Sequence, residues 1–389
     1  MNRGKIVFAQ LMEFLPHHQF QERVKKYGGD YKVQKFTCMD QFLCMAFAQL
    51  TYRESLRDTV SCLSAMEKKL YHMGIRVAPT RNNLAHANSS RDWRIFQDFA
   101  MVLVRKAVKM YESTPLDSEY DLKQMVYALD STTIDICLSL FPWARFRQRK
   151  GAVKLHTLLE LRSAMPTIIY VTDGKTHDVK FLDCLPLEPG AIYVMDRAYV
   201  DYGRLWRFSE AQAIYVTRAK KGFQFKRVGS FPKDKSKGVM ADQIVELTGY
   251  AVKKKHPGRL RRVSFKDLET GKRFVFITND FQLPADTIAF LYRCRWRIEV
   301  FFRWIKQNLR IKSFFGNSEN AVKTQIWIAV ATYALVAIAK KQLALQESLS
   351  ALLQILSIVI FEKTPVHQIL TSDFQNSSEG DNCKQLMLF

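Results

Sequence analysis

Across residues 39–111 the apolar positions recur at helical spacing, and Ser55, Thr80 and Ser90 stand where a side-chain oxygen can cap a helix N-terminus. This pattern predicts a helical N-terminal domain over residues 1–115, expected to bind DNA once the charge described below is considered. Within it, Pro79-Thr80-Arg81-Asn82-Asn83-Leu84 opens a short helix carrying polar and basic groups, a composition shared by recognition helices and by ordinary connectors. After the acidic, Pro-containing stretch 115–121 the texture changes. Short apolar runs separated by turn residues predict strands buried on both faces at 125–130, 153–161, 167–172, 191–196 and 213–216. Helical patterns fit at 177–184 and 201–211.

Three strands, a helix, a fourth strand, a helix and a fifth strand make an α/β fold, a mixed sheet with helices on its faces. That order is the ribonuclease H topology, expected over residues 116–217. Residues 218–283 read as a β-rich insertion, with strand-like runs at 243–252 and 273–278 and breakers at Pro232, Gly238 and Pro257-Gly258. A long helix over 284–312, within a segment 284–315, is expected to complete the core. C-terminal helices and a polar, mobile tail from about residue 371 take up residues 316–389. The apolar run 326–339 is shorter than the roughly 20 residues a bilayer crossing needs, so it is expected to be a buried helix.

Composition alters this picture in one respect. Apolar residues at 48% and charged residues at 25% are ordinary, but 59 Lys plus Arg stand against 37 Asp plus Glu, a net charge of +22. Such a balance attracts polyanions, and nucleic acid is the expected partner. A lipid surface would call for a basic cluster beside an anchor, and none stands out, so no membrane partner is expected. The charge is concentrated: residues 218–266 hold 15 Lys or Arg and three acids, including Lys253, Lys254 and Lys255 as candidate DNA contacts. Seven scattered cysteines without a C-x-x-C pair indicate neither a zinc knuckle nor a disulfide framework. With no secretory pattern at the N-terminus, a cytoplasmic protein is expected.

Three acids are the candidates for chemistry. Asp130 and Asp196 each end an apolar run, at the carboxyl edge of a predicted strand where α/β sheets handle ligands. Glu299 sits on the expected long helix. At about 100° per residue, Tyr292, Arg295, Glu299 and Lys306 fall within roughly 60° of one another, with Arg303 and Arg310 beside them. Ile298, Phe301, Ile305 and Leu309 fall opposite, as a stripe to pack on the sheet. One carboxylate among several cations suits a phosphate backbone held against a metal-binding acid. Oxygen donors favour hard ions such as Mg²⁺, and three acids can hold two of them about 3.5 to 4 Å apart. His156 and His177 lack metal-ligand partners at a telling spacing and are expected to be structural or supporting groups. Asp135, Asp173 and Asp178 are spare acids whose spacing shows no convergence.

Tyr292, Arg295, Glu299 and Lys306 match the Y-R-E-K signature, and the chain resembles bacterial DDE transposases of the insertion sequence 4 family. Ala128-Leu129-Asp130-Ser131-Thr132 and Val194-Met195-Asp196-Arg197-Ala198-Tyr199 are similar to the segments around that family's first and second acids. The family often has Gly where this chain has Ala198. The resemblance implies a ribonuclease H-like core with a β-insertion before its last helix, and Asp130, Asp196 and Glu299 as ligands of Mg²⁺, with Mn²⁺ able to substitute. Terminal inverted repeats and target DNA as partners, a homodimer that synapses two ends, and cut-and-paste movement are implied too. Arg295, Arg303 and Lys306 are then expected at phosphates, Tyr292 at a hydrogen bond to one, and Trp296 at an unstacked base. A non-catalytic DNA-binding relative and a nuclease without strand transfer stand as alternatives.

Overall fold

The computed structural model describes residues 4–120, 122–137, 139–147, 150–308 and 314–371; Arg310, Leu309 and the expected tail lie outside the described residues. The first 110 residues form helices α1 (Val7–Met12), α2 (His17–Lys26), α3 (Cys38–Leu50), α4 (Leu56–Ala65), α5 (Glu67–Leu70), α6 (Arg81–Ser90) and α7 (Arg94–Tyr111). Ser55 and Thr80 cap α4 and α6 as expected, each accepting from the backbone N–H three residues on. Ser90 does not cap a helix. It is the last residue of α6, and its hydroxyl bonds back to the His86 carbonyl at 2.8 Å, the competing local bond open to serine.

The next unit, residues 111–305, is built on a ten-stranded sheet. Its strands are β1 (Val126–Ile136), β2 (Arg145–Arg147), β3 (Lys150–Glu160), β4 (Met165–Asp173), β5 (Ile192–Met195), β6 (Ile214–Arg218), β7 (Phe225–Ser230), β8 (Val239–Leu247), β9 (Leu260–Lys266) and β10 (Arg273–Thr278). β4, β3 and β1 form an antiparallel meander, and β5 and β6 join β1 in parallel. The resulting order β4-β3-β1-β5-β6 is the ribonuclease H arrangement that the sequence predicts.

The insertion does not fold as a separate sheet. β10 returns to pair with β6, and β9, β8 and β7 follow, so the core sheet continues through the insertion and the edge of β6 is covered. Residues 250–252, expected as strand, instead open the short helix α9 (Tyr250–Lys255), after α8 (Tyr202–Glu210). The long helix expected over 284–312 is two helices, α10 (Ala285–Cys294) and α11 (Trp296–Asn308). At the break the Arg295 N–H bonds the Tyr292 carbonyl and the Ile298 N–H bonds the Arg295 carbonyl, both tightened to three-residue spacing. The break falls where side chains are tied down on either side: Arg295 to Asp130, and Arg297 to the Leu161 and Leu116 carbonyls at 2.8 and 2.9 Å.

Side chains alternate across the sheet, and the two faces have different tasks. Tyr127, Leu129, Leu158, Tyr193 and Met195 pack one face against Phe181, Tyr199, Leu205 and Phe208. The other face carries Asp130 and receives α10, whose Ile288 and Leu291 are fully buried.

The chain then forms α12 (Glu319–Gln342), α13 (Leu349–Val359) and α14 (Val366–Thr371). These belong to the same unit as residues 1–110, a joining of the two ends that local patterns do not announce. α12 runs ten residues beyond the predicted apolar stretch. It is long and apolar enough to span a bilayer, yet 94% of its apolar window is buried, with α3, α6, α13 and α1 packed on it.

Candidate active site

β1 does not stop at Asp130 as the sequence predicts but runs six residues further along β3. What ends there is its pairing with β5: Leu129 is in register with Met195, and Asp130 and Asp196 are the next residues of two adjacent parallel strands. The alternation that buries Leu129 and Met195 on one face turns both aspartates to the other. Asp196 also accepts from the Ala198 N–H at 3.2 Å, which turns the chain away from β5.

Glu299 reaches the same face from the first turn of α11. Arg295 links it to the strand acid: Nη1 donates to Asp130 Oδ2 at 2.8 Å and Nη2 to Glu299 Oε1 at 2.5 Å. Burial pushes the Asp130 carboxyl up to about 6; the Ser131 amide and Arg295 pull it down, while Glu299 and Asp196 push it further up. Asp130 therefore feels both other acids. The donor set is all oxygen and short of positive charge, which fits a hard divalent ion, and Arg295 supplies the compensating charge. As arranged here, among the described residues no three acid, His or Cys side chains form a closed metal cage.

The rest of the signature divides by role. Tyr292 packs its ring against Phe276 with centroids 5.0 Å apart, and Arg295 lies 5.7 Å over it. Its hydroxyl is buried; burial first and Asp196 next raise its pKa, against Arg295 and Arg218. Trp296 is 46% exposed with the Arg303 guanidinium 5.8 Å over its ring, so this indole is not packed into the core. Arg303 is exposed, and Lys306 lies on the last described turns of α11. Ile298, Phe301 and Ile305 are buried as expected, joined by Phe302 and Trp304. Arg297, which the sequence leaves without a role, anchors the helix to two backbone carbonyls.

Asp178 is a group that spacing alone does not place. It accepts from Ser131 Oγ at 2.5 Å and pairs with Lys154 at 2.7 Å. Burial raises its pKa, but the bonds from Lys154 and Ser131 outweigh that and the net shift is downward. His156 is opposite Ser131 in register, and its pKa is lowered to about 4 by burial and by Lys154, against Asp178. It is neutral near pH 7, with Nε2 3.1 Å from the Thr172 hydroxyl. Strand alternation puts this cluster on the sheet face opposite Asp130, beneath the site rather than in it. Asp135 is exposed, and Asp173 accepts from the Thr176 hydroxyl at 3.0 Å.

In the insertion, Lys253 is 3.7 Å from Glu246, and Lys254 and Lys255 are exposed on α9. Not all of the charge there faces water: Arg261 is buried and forked onto Asp242 at 2.8 and 2.7 Å.

A ribonuclease H sheet with Asp130, Asp196 and Glu299 brought to one face is the arrangement expected of a polynucleotidyl-transfer enzyme. Residues 121–335 match the transposase DDE domain, and residues 3–76 match a domain of unknown function, DUF4372. The chain belongs to the DDE transposase family, and it is an enzyme of transposition. Among curated relatives it is 33% identical over 269 residues to a protein named as transposase y4zB of Sinorhizobium fredii, covering 68% of this chain and 73% of that one. It is 34% identical over 211 residues to one named as the transposase of insertion sequence element IS5377 of Geobacillus stearothermophilus, covering 53% of this chain and 54% of that one. It is 24% identical over 323 residues to one named as the transposase of insertion sequence element IS4SA of Synechocystis, covering 80% and 85%. Enzymes of this family act on DNA and use divalent metal ions.

Proposed function

We propose that Asp130, Asp196 and Glu299 are the catalytic acids and hold Mg²⁺, with Mn²⁺ able to substitute, for cut-and-paste transposition of an insertion sequence in a bacterial cytoplasm. The observation that carries this reading is the Arg295 fork, which ties Asp130 to Glu299 while Asp196 stands beside Asp130 on the neighbouring parallel strand. Water attacks the phosphodiester at each element end and the 3′ oxygen leaves as a hydroxyl. That hydroxyl then attacks a target phosphate, one P–O bond forming as another breaks, and no enzyme-linked intermediate is required. A bound divalent ion supplies Lewis acidity to the attacking oxygen and charge to the leaving one.

The chain's own groups do the rest. The carboxylates bind, Arg295 moves from acid to phosphate as DNA arrives, and Arg303 and Lys306 on α11 are further phosphate contacts, with Arg310 assigned the same role from the sequence alone. Trp296, exposed beside Arg303, offers a face on which an unstacked base can rest, and Tyr292 braces Arg295 from beneath. Lys253, Lys254 and Lys255 bind the backbone of duplex DNA. Two copies synapse the two terminal inverted repeats as a homodimer. In this reading residues 1–115 bind DNA and residues 218–283 are an insertion in the core. Full-length protein and its Glu299→Gln variant are compared on labelled DNA carrying the element's ends, with Mg²⁺. Equal binding with cleavage reduced by several powers of ten is expected of the variant. Equal cleavage by both proteins removes Glu299 from the chemistry.

A further inference from the structure

Residues 68–91 contain no acid and five cations, Lys68, Lys69, Arg76, Arg81 and Arg91. Inside this stretch lies α6, ten residues long, whose outward side is unlike that of a helix that merely meets water. Such faces are built from Glu, Lys, Arg and Gln, which favour the helix and pair at four-residue spacing. α6 instead exposes Asn82, Asn83, His86, Ser89 and Ser90, all weaker helix formers, with Arg81 at its start. At about 100° per residue, Asn82, His86 and Ser89 share a stripe roughly 60° wide, with Arg81 at one margin and Asn83 and Ser90 at the other. A local preference overridden with no packing in return marks a surface kept for contact.

The inner side of α6 is held firmly. Leu84 and Ala87 are buried, and the Asn88 side-chain oxygen accepts from Gln41 at 2.8 Å. Asn320 donates to the Asn88 and Arg91 carbonyls at 2.9 and 2.6 Å, and Arg91 donates to Gln41 at 3.0 Å and to the Thr37 carbonyl at 2.9 Å. A helix braced this way presents its outer side chains at a set height and orientation. Beside Asn83, His86 and Ser90 runs a groove of about 510 Å³ that Lys35 also lines.

Short amide, hydroxyl and guanidinium groups have the donor and acceptor pairs that match base edges, and the cations of this stretch suit flanking phosphates, since Asp92, the acid that lines the groove, is paired with Arg94 at 2.5 Å. We propose that α6 enters the major groove of duplex DNA, where Asn82, His86 and Ser89 read base edges while Arg81 and Lys35 meet the backbone. The inference rests on the reading of the chain as a DNA transposase and adds which element carries sequence recognition.

The test uses the full chain in EDTA, so that binding is read without cleavage, and a duplex library with a randomised core of about 20 base pairs. Wild type is expected to enrich a motif. Asn82→Ala with His86→Ala should lose preference at neighbouring base pairs by about tenfold or more each, with unchanged melting and unchanged affinity for a fixed-sequence competitor duplex. Asn82→Arg should move one preferred base towards guanine. A motif unaltered by both variants, or wild type that binds duplex without selecting any motif, overturns the inference and leaves the transposase reading standing. Wild type that binds no duplex DNA overturns both.

Discussion

Arg295 and Asp130 are joined at 2.8 Å across 165 residues of chain, and the guanidinium's other arm holds Glu299. The cation thus lies between two acids that, in the proposed reaction, must turn to a divalent ion instead. Without metal or DNA, this fork keeps the half-buried carboxylates from facing one another uncompensated. In that proposed reaction, metal loading is coupled to movement of Arg295.

Removing the fork should be visible in titration. Arg295 lowers the Asp130 pKa, so in Arg295→Ala the carboxyl should titrate above about 6 in the metal-free protein. Carbon-detected NMR of labelled aspartate reads this directly. A carboxyl that titrates at the same pH in the variant as in wild type would mean that Arg295 and Asp130 do not interact.

Asp130 itself should cost stability. Its folded value, about 6, lies above the roughly 3.9 of an unfolded aspartate, so the folded state binds the proton more tightly. Stability from that proton is fully present below about pH 4 and is lost as pH rises through 6. Metal-free Asp130→Asn should therefore exceed wild type at pH 7.5 by on the order of 2 kcal/mol, and the gain should vanish near pH 4. Thermal or urea unfolding at the two pH values checks it, and a variant less stable than wild type at pH 7.5 is the opposing result.

Arg297 should matter for a different reason. Its two bonds to carbonyls hold α11 where Glu299 needs it, and each charge-assisted bond contributes about 1.5 to 3 kcal/mol. Arg297→Ala should lower both stability and cleavage, and Arg297→Lys should rescue little because lysine's donors share one nitrogen and do not reproduce the fixed two-nitrogen fork that reaches Leu161 and Leu116. Full recovery with lysine would show that charge alone suffices.

The insertion's cations should separate into two kinds. Asp242→Ala strips the two-bond partner from buried Arg261, leaving it the Leu283 carbonyl and Asp280 at 3.9 Å, and should destabilise by about 3 kcal/mol. Neutralising Lys253, Lys254 and Lys255 should leave stability within about 0.5 kcal/mol and reduce the salt slope of DNA binding by about 2 to 3. An unchanged slope means that α9 faces solvent only.

Much of the fold was legible because its strands are apolar runs between turn residues, and the register of Asp130 beside Asp196 follows from where two such runs end. The continuation of β1 was less so. Ser131-Thr132-Thr133 reads as a turn, although the alternation through Ile134 and Ile136 was a usable strand signal. The break at Arg295 depends on what Arg295 and Arg297 reach, which helical periodicity does not contain. The pairing of β10 with β6, the joining of α12 to the N-terminal helices and the partnership of Asp178 with Ser131 are long-range facts with no local pattern. Ser90 shows the limit of a cap rule, since the same hydroxyl serves equally well bonded back to His86.

In the proposed enzyme Asp130, Asp196 and Glu299 form one divalent-ion site. Mn²⁺ binding to the full-length protein, followed by electron paramagnetic resonance at pH 7.5, tests it without reference to catalysis. Wild type should bind Mn²⁺, Mg²⁺ should displace it, and Asp130→Asn, Asp196→Asn and Glu299→Gln should each weaken it by about tenfold or more. Binding that survives all three substitutions unchanged would contradict the account.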